Sequence, residues 1–192
     1  MSTSRARPGY HHGNLREALV EAALELLHEG GAEALSLRAA ARRAGVSAMA
    51  PYRHFADKEA LLAAVAAHGF TLLAARLAEA DTAPDPVDAL VAQGVAYVRF
   101  ACEDPDRFRL MFGAAQPAGH PDLRAAGGTG YAILARRVAT LADESRRDDL
   151  TLACWSLVHG LASLLVDGQV PGCGLASEAM AERVTRLLLR CL

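Results

Sequence analysis

The sequence predicts an all-α protein, and three observations carry the prediction. About one in five of the 192 residues is alanine, with leucine next, while aromatic residues make up only 5%, so intrinsic preference summed over the chain favours helix. Apolar residues recur at spacings of three and four, without the strict alternation of a strand. Capping residues and Gly or Pro breaks punctuate the chain at helix-length intervals, with no fixed-period repeat. A composition 52% hydrophobic and 22% charged excludes disordered and fibrous architectures.

The elements follow in order. Leu15, Ala18, Leu19, Ala22 and Leu26 form one apolar stripe opposite Glu17, Glu21, Glu25 and Glu29, so the first helix runs from a cap at Asn14 to Gly30 and Gly31. A second starts from Ser36 as N-cap and ends before Gly45, and Ser47 is read as the cap of a third, short helix. The joint between these two has the length and glycine turn of a helix-turn-helix. Asp57 caps a fourth helix expected to reach about Ala80, and DTAPDP is the clearest break. Beyond it, helices are expected over Val87 to Cys102, Pro105 to Met111, Leu123 to Leu141 with an interruption at Gly127 to Gly130, and Asp149 to Val166. Ser177 is read as the cap of a last helix with Met180, Val184, Leu187, Leu188 and Cys191 on one face. The domain division expected is 1–58 and 59–192.

Charge and cysteine usage narrow the function classes. A net charge of −2 argues against indiscriminate binding to nucleic acid or anionic lipid. Two charge-free stretches, Ala60 to Ala75 and Leu150 to Val166, fall short of the roughly 20 apolar residues that span a bilayer and read as buried helices. The N-terminus has no apolar core of a secretory signal, so a cytoplasmic protein with no membrane partner is expected. Cys102, Cys154, Cys173 and Cys191 lack metal-ligand spacing and read as buried thiols; neither metal nor cofactor is expected. Hydrolase, phosphate-loop and dinucleotide motifs are absent, which points away from an enzyme.

The charges are segregated. Residues 1–16 hold Arg5, Arg7 and Arg16 without an acid, and residues 36–58 hold Arg38, Arg42, Arg43, Arg53 and Lys58 against Asp57 alone. A basic helix-turn-helix on a mildly acidic chain is the local footprint DNA recognition needs. The run from Ser36, Leu37 and Arg38 through Ala41, Ala44, Gly45, Val46 and Ser47 to Tyr52, His54, Phe55, Lys58 and Glu59 resembles, offset for offset, the DNA-binding segment of the tetracycline-repressor (TetR) family. That resemblance covers about the first third of the chain. Trp155 to Gly160, together with Asp104 to Phe112 and Tyr10 to Arg16, resembles the subgroup with a Trp-x-x-x-His-Gly signature.

The individual residues sort by chemistry. Gly45, Val46, Phe55 and the small Ala41 and Ala44 are scaffold. Ser36 and Ser47 are N-caps and, as helix N-termini, phosphate sites. The resemblance implies DNA-backbone contacts from Tyr52, His54 and Lys58. Base reading falls to Ala48, Met49 and Ala50, with Arg53 at the edge; these small or apolar side chains suit a thymine methyl. Specificity is therefore expected to lean on Arg38, on DNA shape and on an arm carrying Arg5 and Arg7 into a minor groove. Two departures from the family pattern stand out: Ala40 replaces a larger aliphatic residue and Pro51 replaces leucine.

In the C-terminal two-thirds, Tyr97, Phe100, Phe108, Met111, Phe112, Trp155 and His159 read equally as an aromatic core or as an apolar ligand pocket. The resemblance implies the pocket and a homodimer through the last two helices; the apolar stripe of the last helix, longer than one small domain needs to cover, makes Met180, Val184, Leu187 and Leu188 the expected interface. The function expected is a ligand-responsive repressor that binds a palindromic double-stranded operator as a homodimer and is released by a small-molecule effector. The alternative is a helical small-molecule carrier or cofactor-binding protein with no DNA role.

Overall fold

A computed structural model describes residues 15–113 and 119–190. The described residues form eight α-helices and one 3-10 turn, divided into compact units at residues 1–61 and 62–192. The Asn14 cap, Arg5, Arg7, Cys191 and the stretch 114–118 lie outside the described residues.

In the first unit, α1 (Leu15–Ala34) buries Leu19, Ala22, Ala23, Leu26 and Leu27. Its regular part ends where expected, at Gly30 and Gly31, whose φ of 67° is open to glycine and costly for other residues. α2 (Leu37–Arg43) starts from Ser36, whose hydroxyl accepts from the Ala39 N–H at 3.1 Å. It ends in a Schellman motif: the Val46 N–H donates to Ala41 O at 2.9 Å and the Gly45 N–H to Arg42 O at 3.3 Å, with Gly45 at φ 71°.

The next segment departs from expectation. Instead of a helix capped by Ser47, the chain makes a single 3-10 turn over Ala50–Arg53 with Met49 at its N-cap. The cause is Pro51: it has no N–H to return to the Ser47 carbonyl, which is taken by the Ala50 N–H at 3.0 Å instead. Pro51 itself is buried, as is Phe55, so the substitution also anchors the turn in the small core. α3 (Lys58–Ala80) then begins at the expected cap, with Asp57 Oδ1 accepting from the Ala60 N–H at 2.8 Å.

In the second unit, α4 (Pro86–Glu103) packs against α5 (Pro105–Phe112), α6 (Pro121–Val138), α7 (Glu144–Val166) and α8 (Leu175–Arg190). Asp85 and Asp104 cap α4 and α5 by accepting from the N–H of Asp88 and of Arg107, with Pro86 and Pro105 in the first turns. Leu90, Leu134, Val138, Leu150 and Cys154 form one buried cluster, with Leu188 and Leu189 packed against it. α3 and α7 each contain a window long and apolar enough to cross a membrane; 61% and 39% of those windows are buried inside the protein.

Four expectations are corrected here. α6 runs unbroken through Gly127, Gly128 and Gly130; Gly130 is buried, where a methyl group would touch Leu77 and Trp155, whereas nothing lies within 4 Å of such a group at Gly127 or Gly128. α7 starts at Glu144, a turn before Asp149, over a charged stretch exposed all round that has no apolar periodicity to reveal it. Ser177 lies inside α8, buried, donating to Gly174 O at 2.6 Å instead of accepting as a cap. Finally, Cys102 and Cys173 are not separate thiols: a disulfide joins the last turn of α4 to the α7–α8 loop, while Cys154 stays a buried free thiol.

Candidate functional site

Two surfaces have the chemistry of a site, one in each unit. In the first unit, the Schellman turn and the 3-10 turn turn polar groups outward while Leu37, Ala39, Ala40, Pro51 and Phe55 fill the interior. Ser36, Arg38, Ser47, Ala48, Arg53, His54 and Lys58 are exposed, Ala50 is half-buried, and Met49 and Tyr52 are 71% and 44% exposed. An apolar side chain as open as Met49 gains nothing from folding, which suits it to a partner's apolar group. Ala40 is wholly buried, so its small side chain lets α2 approach its neighbours closely.

The basic cluster is smaller than the sequence suggests. Arg43 bonds Glu25 Oε2 at 2.9 Å and Glu29 through both terminal nitrogens at 2.8 and 2.5 Å, fastening α2 to α1. Its charge is therefore already answered, and the same hydrogen bonding holds the Glu29 carboxyl below the usual carboxylate range. The Arg16 guanidinium stacks 5.5 Å from the Phe55 ring centre. Arg38, Arg42, Arg53 and Lys58 remain as exposed cations.

In the second unit, five of the seven predicted pocket residues come together. Tyr97 lies edge-on to Trp155 at 5.2 Å and Phe108 at 6.2 Å, and Phe112 lies 4.7 Å from the His159 ring. Tyr97 is fully buried, and its hydroxyl is hydrogen-bonded to His159 Nδ1 at 2.9 Å. Burial pushes the Tyr97 phenol well above its ordinary range and the His159 imidazole below its own, so both are neutral at pH 7. Phe100 and Met111 are buried, Met111 against Gly69. They line neither of the two cavities that flank the Tyr97–His159 pair.

The first cavity has about 20 Å³ of space for water-sized centres, room for roughly one water. Tyr97, Trp155, Leu77, Leu134, Cys154 and Val158 form its apolar walls, with Gln93 and Thr185 as its polar groups. The second is an open cleft of about 180 Å³ beside Phe108, Phe112, His159 and Asp167. Burial raises the Cys154 thiol to about 11, so it is an inert wall.

Gln93 and Thr185 escaped the sequence reading. Both are 3% exposed, and Gln93 Oε1 and Thr185 Oγ1 have no hydrogen-bond partner among the described residues. A signal existed: Gln93 falls three after Leu90 and four before Tyr97, on the apolar phase of α4 where a polar residue is out of place. On α8, Leu187 is 64% exposed, while Met180 and Val184 are half-buried. Leu188 lies one position round and packs against the core cluster.

Comparison with known proteins gives consistent matches. Residues 19–65 match the family described as bacterial regulatory proteins, tetR family, and residues 90–188 match the tetracyclin repressor-like C-terminal domain. Tetracycline repressor protein class C from Escherichia coli is 51% identical over 51 residues, 27% of this chain and 23% of that protein; the match thus spans about a quarter of the relative's length. A protein of unknown function from Rhodococcus sp. RHA1 superposes with a TM-score of 0.83 at 30% identity, over 97% of this chain and 99% of that one. A transcriptional regulator of the TetR/AcrR family from Thermobifida fusca superposes with a TM-score of 0.65 at 26% identity, over 91% and 96% of the two chains.

Proposed function

The chain belongs to the tetracycline-repressor family of DNA-binding, non-enzymatic transcriptional regulators, and on that premise we propose that it is a repressor that binds a palindromic operator as a homodimer and is released by a small molecule. The observation that carries the DNA half is the exposed face of the first unit: Arg38, Ser47, Met49, Tyr52 and Lys58 point to solvent from a turn whose other side is fully packed. Ser36 and Ser47 offer hydroxyls for phosphate, Lys58 a point charge, and Ala48, Met49 and Ala50 an apolar surface for thymine methyls.

Support for the dimer comes from the second unit, where Leu152 and Leu164 of α7 and Leu187 of α8 are 57%, 41% and 64% exposed. Large apolar side chains left open on two helices are what a two-fold interface would cover. The effector half rests on the aromatic cluster and its adjoining cavities. Trp155, His159 and Gly160 support placement in the subgroup with the Trp-x-x-x-His-Gly signature, and a protein acting on chromosomal DNA works in the cytoplasm.

Selection of duplexes from a random pool by the full chain tests the proposal. The expected product is a site with two related half-sites spaced by a helical turn or a multiple, about 34 Å apart. Lys58→Ala should weaken good and poor sites alike and lower the salt slope, whereas Met49→Ala should change the preferred bases. Retention of random duplexes without enrichment would leave only the carrier reading of the second unit.

A further inference from the structure

We infer that the cavity beside Trp155 takes an uncharged, mostly apolar molecule bearing a single hydroxyl or amide group, which gives its hydrogen to Gln93 Oε1 and accepts one from the Thr185 hydroxyl. The inference rests on reading the second unit as the effector-binding half and supplies the chemical class of that effector.

Gln93 is a positioned acceptor. Its Nε2 donates to Asp81 Oδ1 at 2.9 Å, and that same oxygen accepts from Arg137 Nε at 2.6 Å. A carboxylate can only accept, so Asp81, held by Arg137, fixes which end of the amide carries nitrogen and leaves Oε1 to the cavity that Gln93 lines. Thr185, from α8, lines the same space, and Gly94 lets it in: a methyl group at residue 94 would stand 2.8 Å from Thr185 Oγ1. Two buried polar atoms without a hydrogen-bond partner among the described residues, on side chains that line one small space, are costly unless something bonds to both.

The remaining lining decides the charge of the occupant. Among the described residues, no Lys, Arg, Asp or Glu lines the cavity. The Tyr97 hydroxyl is engaged by His159, and the imidazole is neutral. An anion would therefore lose its hydration without gaining a cation, and an ammonium without gaining a carboxylate. The space is about one water in size, so a ring-sized ligand enters by displacing a wall; Trp155 is half-buried while the other lining side chains are buried.

The test uses the full chain and four ring compounds that are silent in the Trp window: cyclohexanol, methylcyclohexane, cyclohexanecarboxylate and cyclohexylammonium. Trp155 is the only tryptophan, so its fluorescence reports each titration. Cyclohexanol should bind at least tenfold more tightly than either ion. The ratio of its Kd to that of methylcyclohexane should rise about tenfold in Gln93→Leu, and Thr185→Val should move the ratio the same way by a smaller factor. The ranking against the ions needs no variant, so a misfolded Gln93→Leu leaves the test intact. Equal binding of the carboxylate, a ratio unmoved by Gln93→Leu and Thr185→Val alike, or no saturable response to any compound overturns the inference. Operator selection by the same preparation, without these compounds, is scored separately. A chain that selects an operator yet shows no hydroxyl preference loses only the ligand class; one that shows the preference without an operator loses only the regulator reading.

Discussion

The two units keep their candidate site residues in opposite places. The first unit presents them outward, with Met49, Tyr52, Arg38 and Lys58 exposed around a core that includes Phe55, Pro51, the leucines of α1 and the alanines of α2. The second holds them inside, where Gln93, Thr185 and the Tyr97–His159 pair line or adjoin a small cavity. An outward site meets a large, charged partner and leaves the packing beneath it untouched. An inward site must keep polar groups buried and partly unpaired, so its stability and its ligand are linked.

Removing the plug of the outward-facing unit gives the largest expected effect. Phe55→Ala should cost about 3 to 5 kcal/mol and abolish operator binding, because a ring 3% exposed leaves a cavity that so small a unit cannot close. Circular dichroism should show an early loss of helix, while the Trp155 transition stays in place. A Trp155 transition that moves equally would show that the units unfold as one.

The disulfide is the next discriminator, since only the second unit has one. Reduction, or Cys173→Ser, releases a constraint across a sequence separation of 71 residues. It should lower the stability reported by Trp155 by roughly 2 to 4 kcal/mol, with no change in operator affinity of the native protein. Thermal unfolding with and without a phosphine reductant measures it.

A smaller change separates capping from contact in the first unit. Ser36→Ala removes the acceptor of the Ala39 N–H and should cost about 1 kcal/mol. Ser36→Asp keeps the cap and adds a negative charge facing phosphate. If Ser36 touches DNA, the aspartate variant regains the stability lost by alanine yet binds operator worse than it. Equal operator binding by both would make Ser36 a cap alone.

The smallest effect is a pH slope. Burial depresses the His159 pKa below 6.5, so the unfolded chain takes up a proton before the native one. The contribution is fully present above pH 6.5 and is lost as pH falls through the native value. Trp155-detected stability should therefore decline from pH 7 to 5, and His159→Gln should flatten that decline. An unchanged slope would put its cause in other groups.

How much was legible follows the same division. The helix caps at Ser36, Asp57, Asp85 and Asp104 connect residues three apart, so their sequence signals are complete in themselves. The turn at Gly45 is equally local, and so is the family pattern laid over it. Even the failure at residues 47–53 has a local cause, since proline at 51 removes one donor and shortens a helix to a 3-10 turn.

Residue types and short spacings thus determined that this chain is helical, where most helices begin, and that its first third has the pattern of a tetR-family regulator. Tertiary structure alone decided the rest. Arg43 is spent on Glu25 and Glu29, 18 and 14 positions away, rather than left for phosphate. Cys102 meets Cys173, and Gly130 of α6 is buried beside Leu77 and Trp155. The Gln93 amide is oriented only because Asp81, 12 positions away, accepts from its Nε2 and is itself held by Arg137, 44 positions away. Caps and turns are closed by neighbours in sequence, whose geometry the backbone dictates, whereas a buried polar site is assembled from side chains that chain entropy keeps apart until the whole core forms.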